Sequence, residues 1–140
     1  MNPFYFGDKS RQLYGVLHPA EGASFRDEAV VLCYPYGQEY ERAHRAFKIL
    51  ANNLSNLGYE VLRFDYAGTG DSWGDSDDIS MAEWQADIRQ AVAEAKDTAG
   101  VDRVSLIGLR LGATLALMAA DRIEGLHRVV CWDPVVDGES

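Results

Sequence analysis

The residues best placed to do chemistry lie at positions 108–112, which read Gly-Leu-Arg-Leu-Gly. An apolar run precedes this segment, an apolar helical pattern follows it, and a glycine stands two positions either side of Arg110. This spacing is typical of the sharp turn between a strand and a helix that presents a nucleophile at its apex. The apex residue should then be a serine, but residue 110 is an arginine, which limits the reactions that this turn can perform.

Arg110 cannot attack a carbonyl, because its guanidinium stays protonated and has no lone pair to offer. Two interpretations remain open. Arg110 can project into a pocket and bind a carboxylate, phosphate or sulfate at the start of the following helix, where the helix dipole favours an anion. It can instead form an internal ion pair with Asp133, Asp65 or Asp71, since a buried charge without a partner is costly.

The other side chains that could act as nucleophile, base or metal ligand are poorly placed. Ser105 and Cys33 lie in strand-like runs, and Ser72 lies in a loop rich in glycine and aspartate. We predict that the three histidines are surface or loop residues: His18, His44 and His127. His44 is the one that comes nearest to lining a pocket. No cluster with metal-ligand spacing is present, so we expect neither a metal nor a cofactor.

The hydrophobic pattern predicts strands that alternate with helices. The strands are expected at residues 4–6, 13–18, 29–34, 60–66, 103–107 and 128–132, and the helices at 41–57, 80–99 and 111–123. Several strands are apolar on both faces, which is typical of a parallel sheet covered by helices on both sides. We therefore predict one α/β domain over residues 1–140, a doubly wound, mostly parallel sheet with an N-terminal antiparallel hairpin.

The last predicted strand, residues 128–132, is also apolar on both faces, and the sequence ends soon after it. Nothing that follows could cover this strand or pair with its free edge. We therefore expect either a protein partner or self-association at this strand, or a chain that is the front half of a longer protein.

Composition narrows the classes of partner. The formal net charge of −9 disfavours nucleic acid and anionic membrane surfaces. The longest apolar run, residues 111–120, is about half of what a membrane-spanning helix needs. The N-terminus has no basic region followed by an apolar core, so we predict a cytoplasmic protein. Cys33 and Cys131 lie in apolar runs and are predicted to be reduced core residues.

Three segments carry a resemblance to a known family. Tyr-Pro-Tyr-Gly at 34–37, Phe-Asp-Tyr-Ala-Gly-Thr-Gly-Asp-Ser at 64–72 and the segment 108–112 come in the order and spacing of an α/β-hydrolase. The resemblance runs over essentially the whole chain and matches the first six core strands of that fold. The segment 108–112, with Trp-Asp-Pro-Val-Val-Asp-Gly at 132–138, is also similar to the hydrolase-like proteins associated with exosortase systems in bacterial exopolysaccharide gene clusters.

The resemblance implies an oxyanion hole formed by the backbone N–H of Leu111 and that of Tyr36 or Gly37. Asp133 follows the last strand, where ligand-contacting residues of open α/β sheets gather, and is either an acid group of the site or the partner of Arg110. In that family the histidine follows the final strand, a part of the fold that residues 1–140 do not include. Two functions stay open: a hydrolase-like protein for an ester or other acyl substrate, and a non-catalytic protein that binds an anionic ligand or a partner.

Overall fold

The architecture comes from a computed structural model, which describes residues 2–7, 9–10, 12–21, 25–35, 38–67 and 81–132. This part of the chain contains six strands and three α-helices. In chain order they are β1 (Asn2–Phe6), β2 (Leu13–His18), β3 (Ala29–Cys33), α1 (Gln38–Asn56), β4 (Glu60–Phe64), α2 (Met81–Ala99), β5 (Val104–Leu109), α3 (Leu111–Ala119) and β6 (Leu126–Trp132). A short 3-10 turn, Ala120–Arg122, follows α3.

All six strands form one sheet in the order β1-β2-β4-β3-β5-β6. The first hairpin is antiparallel and β2 is antiparallel to β4, whereas β4, β3, β5 and β6 run parallel to one another. In the centre of the sheet, Val30 of β3 lies between Val61 of β4 and Ser105 of β5. The predicted α/β fold, with its mostly parallel sheet and N-terminal antiparallel hairpin, is therefore confirmed.

Helices cover both faces of the sheet. On one face, the ring of Tyr34, directly after β3, packs against Phe47 of α1 with the ring centroids 5.0 Å apart. Neighbouring side chains of a strand point to opposite faces, so Cys33 faces the other side. On that side α2 and α3 pack against each other, and both contact β3. We call these two surfaces of the sheet the α1 face and the α3 face.

β3 lies at the centre of the core because its sequence allows no other position. Each of its five residues is buried, and an apolar strand without alternation must be covered on both sides. The glycine that follows α1 explains where that helix ends. Gly58 has φ 101° and its N–H donates to the carbonyl of Ser55, a left-handed conformation that is typical of a glycine ending a helix.

α3 and β6 form a side of the molecule that is more exposed to solvent than the apolar sequence of α3 predicts. The apolar run at residues 111–123 predicts a helix buried nearly all round. Leu117 and Met118 are nevertheless 52% and 48% exposed, so this prediction is wrong for their surface. The reason is that α3 packs against α2 and the sheet on one side only. Among the described strands β6 lies at the sheet edge, with Val130 and Trp132 45% and 59% exposed.

One smaller prediction also needs correction. The helical spacing of apolar residues in 80–99 predicts a buried stripe from Met81 to Ala95, but Met81 is exposed at the first position of α2. The rest of that stripe, from Trp84 to Ala95, is buried as predicted.

Among the helices that the structure describes, none is long and apolar enough to cross a membrane.

Candidate active site at the Arg110 turn

A sharp turn at Arg110 joins β5 to α3. Arg110 has φ 57° and ψ −121°, a combination that costs a residue with a Cβ of order 1–3 kcal/mol. Its N–H donates to the carbonyl of Trp132 in β6, at 2.9 Å, and its carbonyl accepts from Ala113 in the first turn of α3, at 3.0 Å. Hydrogen bonds on both sides therefore hold the strained backbone in place.

The two glycines that flank Arg110 are required by close packing. A Cβ on Gly108 would lie 2.6 Å from the Cα of Ala113. A Cβ on Gly112 would lie 2.5 Å from the carbonyl oxygen of Tyr34 and would also clash with the carbonyl of Cys33. The helix after the turn consequently rests directly on β5 and on the end of β3, with no room for a side chain between them.

The start of α3 is the part of the turn that can bind a ligand. The first amides of a helix, Leu111 among them, have no carbonyl partner within the helix, and the helix dipole places partial positive charge there. The half-buried Arg110 adds a full positive charge at this point. It also takes part in a further contact within the protein. The arrangement favours an anion or a carbonyl oxygen.

The structure describes only some of the site residues predicted from the sequence. Arg110 and Leu111 lie together at the turn, whereas Tyr36, Gly37 and Asp133 are outside the described residues. Among the proposed ion-pair partners of Arg110, Asp71 also lies outside them. Asp65 is described: it follows β4 directly, is buried, and its N–H donates to the carbonyl of Tyr14 in β2.

A buried arginine, which sequence analysis missed, lies beneath α1. Arg63 in β4 is 4% exposed. Its Nε donates to Nε2 of His18 at 2.9 Å, and its Nη1 donates to the hydroxyl of Tyr34 at 3.0 Å. The signal in the sequence is one cation in the otherwise apolar run from Val61 to Phe64. Such a residue on a covered strand must find polar partners within the core.

The prediction that all three histidines are surface or loop residues is wrong for His18. This residue ends β2, is 2% exposed, and has its Nδ1 3.0 Å from the side-chain oxygen of Asn52 in α1. Burial and then the charge of Arg63 lower the pKa of His18 from its usual 6.5. His127 is exposed, although it lies within β6 and not before it.

Tyr34 links this buried arginine to α1. Its hydroxyl lies 3.3 Å from Nδ1 of His44, and the two rings stack with their centroids 5.9 Å apart. Burial raises the pKa of Tyr34, and the nearby Arg63 opposes that rise. His44, on the exposed side of α1, is thus in contact with a buried residue at the end of β3.

The chain is also fixed at Ala67, three residues after the end of β4. The N–H of Ala67 donates to Oδ2 of Asp87 at 2.8 Å, and the carbonyl of Ala67 accepts from the indole N–H of Trp84 at 3.0 Å. Both partners belong to α2 and are buried. A buried carboxylate and a buried indole thus satisfy both backbone groups of a single residue.

The two thiols do not supply the missing nucleophile. Both are free, as predicted, and Cys33 is fully buried, which raises its pKa to about 12. Cys131 is only half-buried in the edge strand β6, so the prediction of a core residue is wrong for it. Burial raises its pKa as well. Ser105 lies near the start of β5, far from the turn, and its hydroxyl donates a hydrogen bond to Glu28 at 2.7 Å. No group of three or more metal-ligating side chains occurs among the described residues.

Comparison with known proteins assigns the chain to a family. Residues 26–140 match the family model of the serine aminopeptidases, S33. Human palmitoyl-protein thioesterase ABHD10, a mitochondrial protein, is 34% identical over 65 residues, which are 46% of this chain and 20% of that protein. Human protein ABHD12B is 32% identical over 109 residues, 73% of this chain and 27% of its own length.

Solved structures give the same fold. A lidless α/β serine hydrolase from Xanthomonas campestris superposes with a TM-score of 0.74 at 20% identity, over 86% of this chain and 56% of its own. The chain thus spans about half of that structure, and a smaller part of both human proteins. Because the family model matches residues 26–140, which are most of this chain, the chain belongs to the serine aminopeptidase S33 family of α/β-hydrolases.

Proposed function

We propose that this chain carries the ligand site of a hydrolase-like protein in which Arg110 binds an anionic or acyl ligand in place of a nucleophilic serine. The observation that carries the proposal is the conformation of Arg110, φ 57° and ψ −121°, at the junction of β5 and α3. A strained residue at the carboxyl end of a parallel strand is typical of a functional position. The guanidinium and the first amides of α3 together suit a carboxylate or phosphate oxygen.

A second candidate function is hydrolysis of an ester or thioester. Its support is the family match and the name of one relative, a palmitoyl-protein thioesterase. Against it stands the absence of a serine at position 110. In the binding proposal, Leu111 supplies a backbone donor, Tyr36 or Gly37 supplies another, and Asp133 is either an acid group or the ion-pair partner of Arg110.

Anion binding can be measured by adding phosphate or acetate and following the midpoint of thermal unfolding, since a ligand that binds the folded state raises it. We expect Arg110→Ala to weaken phosphate binding by about tenfold or more, because a charge-assisted contact is lost. Arg122→Ala removes the same charge from an exposed turn and serves as the matched control. Equal affinity in the Arg110 and Arg122 variants would contradict the proposal.

Catalysis is tested separately with p-nitrophenyl acetate and butyrate. The binding proposal predicts no release of p-nitrophenol above the buffer rate. Turnover that Arg110→Ala abolishes would favour the hydrolase function and make Arg110 part of its machinery, whereas turnover unaffected by this substitution would place the chemistry elsewhere.

The biological setting is proposed from sequence resemblance. The arginine turn, together with residues 132–138, is similar to hydrolase-like proteins of exosortase systems. We accordingly propose an accessory role in bacterial exopolysaccharide production, in the cytoplasm. Deleting the gene and measuring secreted polysaccharide tests this role, with a plasmid that encodes Arg110→Ala as the control for the site.

A further inference from the structure

Tyr34 joins the Arg110 turn to the network beneath α1. Its backbone carbonyl packs against Gly112 on the α3 face, so closely that a Cβ there would lie 2.5 Å away. Its side chain lies on the α1 face, where the hydroxyl meets Arg63 at 3.0 Å. A displacement of the Tyr34 ring would therefore move the carbonyl against which α3 rests.

The direction of the hydrogen bonds in this network is fixed by Arg63. A guanidinium has only donors, so the Tyr34 oxygen must accept from Nη1, and the imidazole of His18 must accept at Nε2. The remaining proton of the Tyr34 hydroxyl is then available for Nδ1 of His44. One buried cation thereby fixes the orientation of a side chain from β2 and of a side chain from the end of β3.

We propose that Arg63 is a positioning residue of the Arg110 turn, acting through the Tyr34 hydroxyl. By holding that hydroxyl, Arg63 fixes the end of β3 against Gly112 and so sets the distance between β3 and the first turn of α3. Arg63 does not contact the ligand in this role. Its effect on anion binding rests on the proposed function, whereas its effect on the turn does not.

The sharpest test is Tyr34→Phe, which removes the hydroxyl and keeps the ring that packs on Phe47. The matched control is Ser105→Ala. It also removes one buried hydroxyl that is hydrogen-bonded to a charged group, Glu28, but at the opposite end of β5. Hydrogen exchange of the peptide that covers residues 106–116 reports the turn directly. We expect exchange there to rise about fivefold in Tyr34→Phe and to stay unchanged in the control.

Three further variants distinguish a local effect on the Arg110 turn from a general loss of stability. Arg63→Lys retains a donor for the Tyr34 hydroxyl and should restore most of the protection that Arg63→Met removes. The double variant Tyr34→Phe/Arg63→Met removes both partners, so no buried donor is left without an acceptor at this contact. It should fold and still show rapid exchange at the turn.

The inference is overturned if exchange over 106–116 is the same in Tyr34→Phe as in Ser105→Ala, or if Arg63→Lys protects no better than Arg63→Met. Phosphate affinity is the second readout, expected to fall about fivefold in Tyr34→Phe. If the wild-type protein binds no phosphate while exchange responds as expected, the proposed function fails and the positioning role stands. If phosphate binds through Arg110 and neither readout responds to Tyr34→Phe, the positioning role fails alone.

Discussion

Substitution of Gly112 by alanine tests the packing of the Arg110 turn most directly. The new methyl group would lie 2.5 Å from the carbonyl oxygen of Tyr34, whereas ordinary contact begins at 3.4 Å. Either α3 or the end of β3 must then move by more than roughly 0.9 Å, because the carbonyl oxygen of Cys33 would lie closer still, and neither is a flexible side-chain end. We expect the upper end of the overpacking range, a loss of about 3 kcal/mol in the free energy of unfolding. The midpoint of thermal unfolding should fall by about 10 °C.

Gly100→Ala is the control, because the two glycines differ in the reason they are required. Gly100 has φ 68°, but a Cβ there would meet nothing within 4 Å. Its substitution should cost about 1 kcal/mol from backbone strain alone. Urea unfolding followed by circular dichroism measures both variants. If Gly112→Ala is no less stable than Gly100→Ala, close packing against Tyr34 is not the reason for a glycine at position 112.

Three other predictions follow from the same geometry. Arg110→Gly should be about 1 kcal/mol more stable to urea than Arg110→Ala, because only glycine relieves the positive φ; equal stabilities would mean that the turn is not strained. Burial and the charge of Arg63 lower the pKa of His18, so the unfolded chain binds a proton at a higher pH than the folded protein does. The free energy of unfolding should therefore be highest above pH 6.5 and should fall as the pH drops through the pKa of His18 in the folded protein. This slope should flatten in His18→Gln, and a slope unchanged by that substitution would assign it to other groups. Iodoacetamide should label Cys131 at least about a hundredfold faster than Cys33, whose pKa is raised to about 12 by complete burial; peptide mass spectrometry gives both rates, and equal rates would refute the buried position of Cys33.

The sequence alone predicts those features that depend on local pattern. Five consecutive apolar residues at Ala29–Cys33 can only be stable under cover on both faces, and this strand is indeed at the centre. Glycines at 108 and 112, with apolar runs on each side, similarly predict a sharp turn between a strand and a helix. In each case the physical requirement lies within a few residues, so no knowledge of distant partners is needed.

The features that escaped prediction depend on distant partners. Arg63 is buried because residues 45 and 29 positions away in the sequence, His18 and Tyr34, accept its hydrogen bonds. Leu117 and Met118 belong to an apolar helix and are nevertheless exposed. The sequence of a helix shows which side chains are apolar, but the elements that pack against the helix determine which of them are buried.

The strand order has a consequence for the time course of synthesis. β3 pairs with β4 on one side and with β5 on the other, and Ala29 lies opposite Val104. About seventy residues must therefore leave the ribosome between the completion of β3 and the arrival of its second neighbour. Throughout that interval one edge of the most apolar strand is open to wrong pairing. α2, which packs across β3 and β4, is translated just before β5 and can cover the face of this incomplete sheet.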